Sequence, residues 1–280
     1  MANFSIGVLM EGFRTDWRTA LKLAQQVGTQ GVQIYATQGD MAPENLSPAK
    51  RREVLDVVKS HGLIVSALCG DLGDGGFTNP EKNPEKIERS KRILELAKDW
   101  ETNIVTTHVG VIPEDKTHPR FQILQQACGE LAEYADSLKA HFAIETGPET
   151  GATLKAFLDS LNSHGVAVNM DPANLVMVTG DDPAKATRLL GDYIVHTHAK
   201  DGKRNYYRDP EEVYGMAESH IVTDPSFEEL PLGQGQVNWS EYLQALRDIG
   251  FGGFLTIERE VGDNPYDDIA MAVQFLKERI

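Results

Sequence analysis

The stretch HFAIETGPETGATLKAFLDSLNSHGVAVNM, residues 141–170, contains one complete copy of the pattern that decides the fold. It begins with the short apolar run HFAIE (141–145) and ends with a second run, VAVNM (166–170), and both runs are typical of buried strands. Between them, residues 152–163 place leucine and phenylalanine at spacings of three and four, which predicts an amphipathic helix. Gly165 follows the helical stripe, and we expect it to end the helix and lead into the second strand.

Six further apolar runs repeat this unit along the chain. They are FSIGVLM (4–10), GVQIY (31–35), LIVSALC (63–69), NIVTTHVG (103–110), YIVHTHA (193–199) and FLTIE (254–258). Alternation of strands and helices implies a parallel sheet, and eight units in 280 residues predict a single-domain (β/α)8 TIM barrel over residues 1–280. An open doubly wound sheet is the alternative. It would often carry a Gly-rich phosphate turn after its first strand, whereas MEGFRTDW (10–17) has one glycine.

Charge and composition narrow the class of partner. Lys and Arg number 27 against 42 Asp and Glu, so the net charge of -15 disfavours nucleic acid or an anionic membrane as a partner. The two cysteines, Cys69 and Cys128, allow no disulfide framework and indicate a reducing compartment. The sequence shows neither an apolar run of membrane-spanning length nor the features of a signal peptide. We therefore expect a cytoplasmic protein that acts on a small molecule.

Two connections are longer than the usual loop. Residues 70–82 follow the third strand and carry four glycines, and an insertion at about 201–237 follows the seventh strand. The second of these is expected to contain a short helix near 210–218. Both lie on the carboxyl side of the strands, where barrel active sites form, so each is either a lid over the site or a tolerated surface insertion.

Ionisable residues lie at or next to the carboxyl ends of four successive predicted strands. They are Glu145, Asp171, His198 and Glu258. In a barrel these strand ends meet at one mouth. Three carboxylates and an imidazole form an oxygen-rich ligand set that suits Mn²⁺, Mg²⁺ or Co²⁺, with Zn²⁺ as an alternative. Without a cation, three converging carboxylates would repel one another and lose hydration. We therefore expect one divalent metal ion as a cofactor, bound by these four residues.

Taken singly, these residues have plainer interpretations. Asp171 precedes Pro172 and is placed to cap a helix, and Glu145 could pair with a cation on a loop. His196 lies two residues before His198 and so on the same face of the strand, where it is either a core histidine or part of the site.

Cysteine and aromatic side chains near the strand ends complete the candidate list. Cys69 ends the third strand without an apparent activating base and is expected to be a small buried residue, as is Cys128 on a helical stripe. Phe13, Tyr35 and Phe77 follow strand ends and are candidates for an apolar wall around a substrate.

Five stretches, in this order, resemble the xylose isomerase-like superfamily of sugar isomerases and epimerases. They are FAIETGP (142–148), VNMDPANL (168–175), VHTHAKDG (195–202), LPLGQGQVNW (230–239) and FLTIERE (254–260). The resemblance covers nearly the whole chain and implies a TIM barrel with one divalent cation. It places the metal ligands at Glu145, Asp171, His198 and Glu258.

The chain is similar to the ketose 3-epimerase branch, and this similarity implies a reaction. Glu145 and Glu258 would act as the acid/base pair on opposite faces of the sugar, one removing the proton beside the carbonyl and the other returning one. The metal would bind the neighbouring oxygens and stabilise an enediolate, because a proton α to a carbonyl is not acidic enough for a free carboxylate. Two opposed carboxylates are what inversion of configuration requires. The expected function is a metal-dependent isomerase or epimerase of a ketose or related polyol.

The same resemblance implies a set of substrate-binding residues. They are His108, Asn174, His196 and Lys200. Lys200 would neutralise an oxyanion or a phosphate, unless it is a solvated loop lysine. Asn174 departs from the family pattern, which often has His at this position, and this leaves the substrate open. Cys69 stands where relatives that cleave abasic DNA have His, which argues against a nuclease.

Three other functions stay open at this stage. The first is a hydro-lyase on the same scaffold, resembling inosose or dehydroshikimate dehydratases, with the same metal and base. The second is a glycoside hydrolase using two carboxylates, which leaves Asp171 and His198 unexplained. The third is a non-catalytic sugar-binding protein. The sequence identifies neither the sugar, nor the metal, nor the oligomeric state, although barrels of this kind often form homo-oligomers.

Overall fold

The computed structural model describes residues 4–217 and 224–280, and its eight-stranded parallel sheet closes into a barrel. The strands are β1 (Ser5–Leu9), β2 (Gly31–Tyr35), β3 (Ile64–Cys69), β4 (Ile104–Thr107), β5 (His141–Glu145), β6 (Val166–Met170), β7 (Ile194–Ala199), β8 (Asp201–Arg204), β9 (Phe227–Leu230) and β10 (Phe254–Ile257). Strands β1 to β7 follow one another around the barrel, and β10 lies between β7 and β1. The predicted TIM barrel is confirmed, and the open sheet is excluded because β10 pairs with β1.

Helices connect the barrel strands. They are α1 (Trp17–Val27), α2 (Pro48–Ser60), α3 (Asn83–Asp99), α4 (Pro119–Ser137), α5 (Gly151–Leu161), α6 (Pro172–Asn174), α7 (Pro183–Leu190), α8 (Pro210–Val213), α9 (Trp239–Asp248) and α10 (Pro265–Lys277). Helix α6 continues into a π-helical turn at Leu175–Thr179, and short 3₁₀ turns occur at Met10–Phe13, Gly39–Met41, Pro43–Asn45 and Gly191–Tyr193. In the described part of the chain, no helix combines the length and the apolar character needed to cross a membrane.

The apolar stripes that predict helices are the faces that the helices bury. Helix α5 buries Leu154, Phe157 and Leu158, as its spacing predicts. Helix α4 likewise buries Cys128 among leucines and alanines, so this cysteine belongs to the core. Burying such stripes against the barrel stabilises the fold by roughly 25 cal/mol for each Å² of apolar surface removed from water.

The predicted role of Gly165 is wrong. Helix α5 ends at Leu161, and Asn162 takes the left-handed conformation with φ 49° that stops it. A Cβ atom at Gly165 would overlap the carbonyl oxygen of Ala132 in α4. This position lacks a side chain because the backbone entering β6 passes directly against α4, not because a helix ends there.

The loop at residues 70–82 contacts both helix α3 and the core of the barrel. The Lys86 ammonium, at the start of α3, donates hydrogen bonds to the carbonyl oxygens of Gly73, Asp74 and Gly76 at 2.9, 3.1 and 2.5 Å. Phe77 is 1% exposed and meets the Phe142 ring edge to face at 6.0 Å between centroids. Phe77 therefore belongs to the core and not to a substrate wall.

The segment between β7 and β10 carries the antiparallel pair β8 and β9. Helix α8 is shorter than the helix expected near 210–218, and residue 218 lies outside the described residues. Buried Asp201 organises the return of this segment to the barrel. Its Oδ2 accepts hydrogen bonds from the backbone N–H of Gly233 at 2.8 Å and from the indole of Trp239 at 2.9 Å. These bonds hold Gly233 and Trp239 against Asp201, which lies two residues after the end of β7.

Candidate metal centre

The four residues expected to bind a metal converge at the carboxyl end of the barrel. Glu145 ends β5, Asp171 directly follows β6, His198 lies near the end of β7, and Glu258 directly follows β10. Each offers one ligand atom, and these atoms all lie within 4.8 Å of one another. All four side chains are buried. The barrel thus brings together side chains that are 113 residues apart in sequence at their extremes, from position 145 to position 258.

The imidazole Nδ1 of His198 is the point where the three carboxylates meet. It lies 3.5 Å from Glu145 Oε1, 3.4 Å from Asp171 Oδ2 and 3.2 Å from Glu258 Oε2. Burial opposes the charged imidazole, but Glu258 and Glu145 outweigh burial and raise the pKa of His198 well above its ordinary value. The arrangement therefore favours positive charge at this point. Three carboxylate oxygens and one imidazole nitrogen are a donor set that fits a divalent cation.

The two oxygens of Asp171 face different groups. Its Oδ1 accepts a hydrogen bond from the backbone N–H of Asn174 at 2.9 Å and caps α6, while its Oδ2 faces His198. The capping interpretation and the metal-ligand interpretation are therefore compatible, because each uses a different oxygen.

Two amide side chains orient the Glu145 carboxylate. Asn174 Nδ2 donates to Oε1 at 3.0 Å, and Asn169 Nδ2 donates to Oε2 at 3.0 Å. Asn174 thus reaches the site, as expected, and also lines the cavity above it. The sequence analysis did not identify Asn169 as a site residue. Its position is nevertheless unusual, because it is a polar residue within the apolar run VAVNM and lies two residues before Asp171.

Lys200 is buried beside the cluster and is not a solvated loop residue. It is 4% exposed, and its Nζ donates to Glu258 Oε2 at 2.9 Å and to Glu260 Oε2 at 2.6 Å. Burial disfavours the charged amine, but Glu258 and Asp171 outweigh burial and raise the pKa of Lys200 well above its ordinary value. The site therefore holds a permanent ammonium next to one of its carboxylates.

His108 also lines the cavity. Its Nδ1 is 3.2 Å from Asp71 Oδ2, its Nε2 is 3.7 Å from Glu145 Oε1, and its ring packs beside Tyr214. Burial lowers the pKa of His108, but the charges of Glu145 and Asp71 raise it to about 9 overall. His108 is therefore a cationic hydrogen-bond donor facing the cavity.

His196 lies beneath the cavity. It is 1% exposed, and its Nε2 is 3.0 Å from Gln33 Oε1 and 2.9 Å from Thr256 Oγ1. Burial, with a smaller effect of His198, lowers its pKa to about 3. The placement fits the core-histidine interpretation, and it does not fit the expected contact between His196 and a substrate.

A cavity of about 570 Å³ opens directly above the cluster. Tyr35 and Cys69 line it, as do apolar side chains such as Val178. Burial raises the pKa of the Cys69 thiol, which is consistent with an unreactive wall residue. Phe13, by contrast, is buried in the core. Of the three aromatic residues considered for a substrate wall, the structure places Tyr35 at the cavity.

Residues 21–279 match the sequence model of the xylose isomerase-like TIM barrel family. The uncharacterized protein YfiH of Bacillus subtilis is 32% identical over 121 residues, which covers 41% of this chain and 38% of YfiH. The uncharacterized protein MJ1311 of Methanocaldococcus jannaschii is 24% identical over 211 residues, covering 71% of this chain and 64% of that protein. The matched regions thus span less than two thirds of the length of either curated relative.

Solved structures share the barrel over nearly the whole chain. A xylose isomerase domain protein from Planctomyces limnophilus superposes with a TM-score of 0.80 at 23% identity, covering 99% of this chain and 96% of that one. The probable 3-DHS dehydratase AsbF of Bacillus anthracis gives 0.74 at 20% identity, covering 99% and 100%. A D-allulose 3-epimerase from Methylomonas sp. gives 0.75 at 18% identity, covering 100% and 99%. At these identities the likeness is one of fold, and it agrees with the sequence match: the chain belongs to the xylose isomerase-like TIM barrel family.

Proposed function

We propose that the protein is a metal-dependent isomerase or epimerase of a ketose or related polyol. It would remove a proton from the carbon next to a carbonyl group, and a proton would then be returned to the substrate. One observation carries the proposal. Glu145 and Glu258 extend from β5 and β10, which are separated in the barrel by β6 and β7, yet both carboxylates reach His198 Nδ1. Two carboxylates that approach one point from different sides can serve opposite faces of a substrate.

Glu145, Asp171, His198 through Nδ1, and Glu258 would hold the cation, because their donor atoms meet at one point. When bound, a divalent cation supplies Lewis acidity, which draws electron density from a carbonyl oxygen and makes the neighbouring C–H more acidic. The donor set suits Mn²⁺, Mg²⁺ or Co²⁺.

In this proposal Glu258 and Glu145 transfer the protons. Burial raises the pKa of Glu258, but Lys200 and His198 outweigh burial and lower it well below its ordinary value, so Glu258 is in the ionised form that a base requires. Hydrogen bonds from Asn169 and Asn174 hold both oxygens of Glu145 in one orientation. Such fixed geometry supports proton transfer because no reorientation is needed when the substrate reacts.

The charges around the cavity favour an unphosphorylated substrate. Asp71, Glu228 and Glu260 line the cavity in addition to the metal-binding carboxylates. The Lys200 ammonium is already paired with carboxylates at 2.9 and 2.6 Å. The carboxylates that line the cavity outnumber its cationic side chains Lys200, His108 and His198, so a phosphate group would meet net negative charge, whereas the hydroxyl groups of a neutral sugar can donate to these carboxylates.

The test is deuterium uptake from solvent. The protein, loaded with Mn²⁺, is incubated in D₂O with a panel of unphosphorylated ketopentoses and ketohexoses, and products are followed by NMR and mass spectrometry. We expect an isomeric product that carries deuterium at a carbon beside the carbonyl, and we expect Glu258→Gln to lose on the order of 10²-fold or more in rate. Glu53→Gln, which alters an exposed pair with Arg18, is the matched control and keeps the rate. No isomerisation of any ketose, with the metal bound, would contradict the proposal.

A hydro-lyase is the second candidate, and the buried ammonium of Lys200 favours it. An ammonium 2.9 Å from Glu258 Oε2 is placed to stabilise the negative charge that develops on a departing hydroxyl after Glu258 has removed a proton. The same experiment separates the two reactions, because a hydro-lyase product is lighter than the substrate by one water and an isomerase product is not.

A further inference from the structure

A layer of polar side chains lies beneath the metal centre, inside the barrel. Gln33, in the middle of β2, is 1% exposed. Its Oε1 lies 3.1 Å from His198 Nε2 and 3.0 Å from His196 Nε2, and its Nε2 donates to Thr106 Oγ1 at 2.9 Å. One amide oxygen therefore contacts both buried histidines of β7.

The direction of these hydrogen bonds can be assigned by starting from the carbonyl oxygen of Leu68 and following the series of hydrogen bonds through Thr106 to Gln33. The carbonyl oxygen of Leu68 only accepts, and Thr106 Oγ1 donates to it at 3.5 Å. Thr106 Oγ1 is then the acceptor for the amide N–H of Gln33, which leaves Gln33 Oε1 facing the imidazoles. Because an amide oxygen only accepts, His198 Nε2 must carry a proton.

The other neighbour of His198 Nε2 cannot replace Gln33. Asn169 Nδ2 lies 3.2 Å from the same nitrogen, but it is a donor, and it already donates to Glu145 Oε2. Among the described residues, Gln33 Oε1 is thus the hydrogen-bond acceptor available to His198 Nε2. A neutral imidazole carries one N–H, so a proton held at Nε2 leaves the lone pair on Nδ1, which faces the three carboxylates.

We propose that Gln33 is a positioning residue of the metal centre, which accepts the Nε2–H of His198 and so directs the Nδ1 lone pair at the cation. This inference rests on the proposed metal-dependent function. An imidazole ligand whose second N–H is held by an acceptor has a fixed tautomer and ring orientation, and loss of such an acceptor typically weakens metal binding 10- to 100-fold. Gln33 acts through His198 and has no part in the proton transfer.

The test measures Mn²⁺ affinity by competition with a chelating dye at constant pH. Gln33→Met keeps the length of the side chain and removes the acceptor, so we expect Mn²⁺ to bind about 10- to 100-fold more weakly. Gln33→Glu keeps an acceptor oxygen, and we expect Mn²⁺ to bind at least as tightly as in the wild type. Gln30→Met is the matched control: Gln30 accepts from the backbone N–H of Ile6 at 2.9 Å, away from the cluster, and its loss leaves the affinity unchanged.

The melting temperature of each metal-free variant separates positioning from folding. If Gln33→Met binds Mn²⁺ as tightly as the wild type, the inference is overturned while the proposed function stands. If Gln33→Met does not fold, Gln33→Glu decides, and a tenfold loss of affinity in a folded Gln33→Glu protein overturns the inference. If the wild type itself binds no Mn²⁺, Mg²⁺, Co²⁺ or Zn²⁺, the proposed function and the inference both fall.

Discussion

Glu149 supports a quantitative prediction about stability and pH. It follows β5 in the loop that leads to α5, and it is 6% exposed. Its Oε2 accepts a hydrogen bond from the backbone N–H of Ile112 at 3.3 Å, and its Oε1 has no hydrogen-bond partner among the described residues. Burial raises the pKa of this carboxyl from 4.5 to about 8.

The raised pKa makes Glu149 a cost to stability at neutral and alkaline pH. Below pH 4.5 the carboxyl is protonated in both the folded and the unfolded chain and contributes no pH dependence. Between pH 4.5 and about 8 the unfolded chain has released the proton and the folded chain has kept it, so the free energy of unfolding falls as pH rises. At 1.36 kcal/mol for each pKa unit, the total loss attributable to this group is at most about 5 kcal/mol.

The perturbation is Glu149→Gln, which stays neutral at every pH and keeps an acceptor for Ile112. We expect the variant to be within ~1 to 2 kcal/mol of the wild type at pH 5, because the amide nitrogen gains no partner in place of Oε1. At pH 8.5 we expect the variant to be more stable than the wild type by several kcal/mol. Titratable groups that do not interact with Glu149 contribute equally to both proteins and cancel in the difference; His108, whose charge lowers the pKa of Glu149, already acts within the value of about 8.

The assay is urea unfolding of both proteins from pH 5 to pH 9 in the presence of EDTA, so that metal binding does not add its own pH dependence. Glu133→Gln, on the exposed face of α4, is the control, and its stability should follow the wild type at every pH. If the Glu149→Gln curve also runs parallel to the wild-type curve, the carboxyl ionises normally in the folded protein and the reasoning from burial is refuted.

Two further predictions follow from buried contacts. Lys200→Met leaves Glu258 without its buried ammonium partner, so the free energy of unfolding of the metal-free protein, measured in urea, should fall by about 3 to 5 kcal/mol. Bound Mn²⁺ should reduce that loss. A loss below about 1 kcal/mol in the metal-free variant would contradict a buried ion pair. Gly165→Ala forces a Cβ against the Ala132 carbonyl and should destabilise the protein by roughly 1 to 3 kcal/mol. Gly129→Ala, in open space on α4, should instead stabilise it by up to about 1 kcal/mol, so equal effects of the two alanine substitutions would contradict the packing described.

The barrel and the four converging residues are predictable because they depend on local patterns. Short apolar runs and amphipathic stripes identify the strands and helices, and parallel strands then place Glu145 and Glu258 at the same mouth without any knowledge of packing. Spacing alone cannot separate neighbouring layers inside the barrel. His196 and His198 share one face of β7, yet His196 lies a layer deeper and contacts Gln33 and Thr256.

The contacts that escape prediction are those between distant segments. Gln33 interrupts the apolar run GVQIY, which marks it as unusual, but its partners on β7 are 163 and 165 residues away. The Lys86 ammonium donates hydrogen bonds to carbonyl oxygens of the glycine-rich loop at residues 70–82, although nothing in the local sequence distinguishes Lys86 from a surface lysine. Gly165 resembles a helix end because it follows a helical stripe, and only the approach of α4 explains it.

The most direct test of the metal centre is the number of Mn²⁺ ions bound per chain, measured by equilibrium dialysis for the wild type and for Asp171→Asn. Asparagine can still cap α6 through its side-chain oxygen, so this substitution removes a charged ligand and spares the helix. We expect one ion per wild-type chain, and none in the variant at the same free Mn²⁺ concentration. A wild-type protein that binds no divalent cation, or an Asp171→Asn protein that binds one equally well, would contradict a metal centre at these four residues.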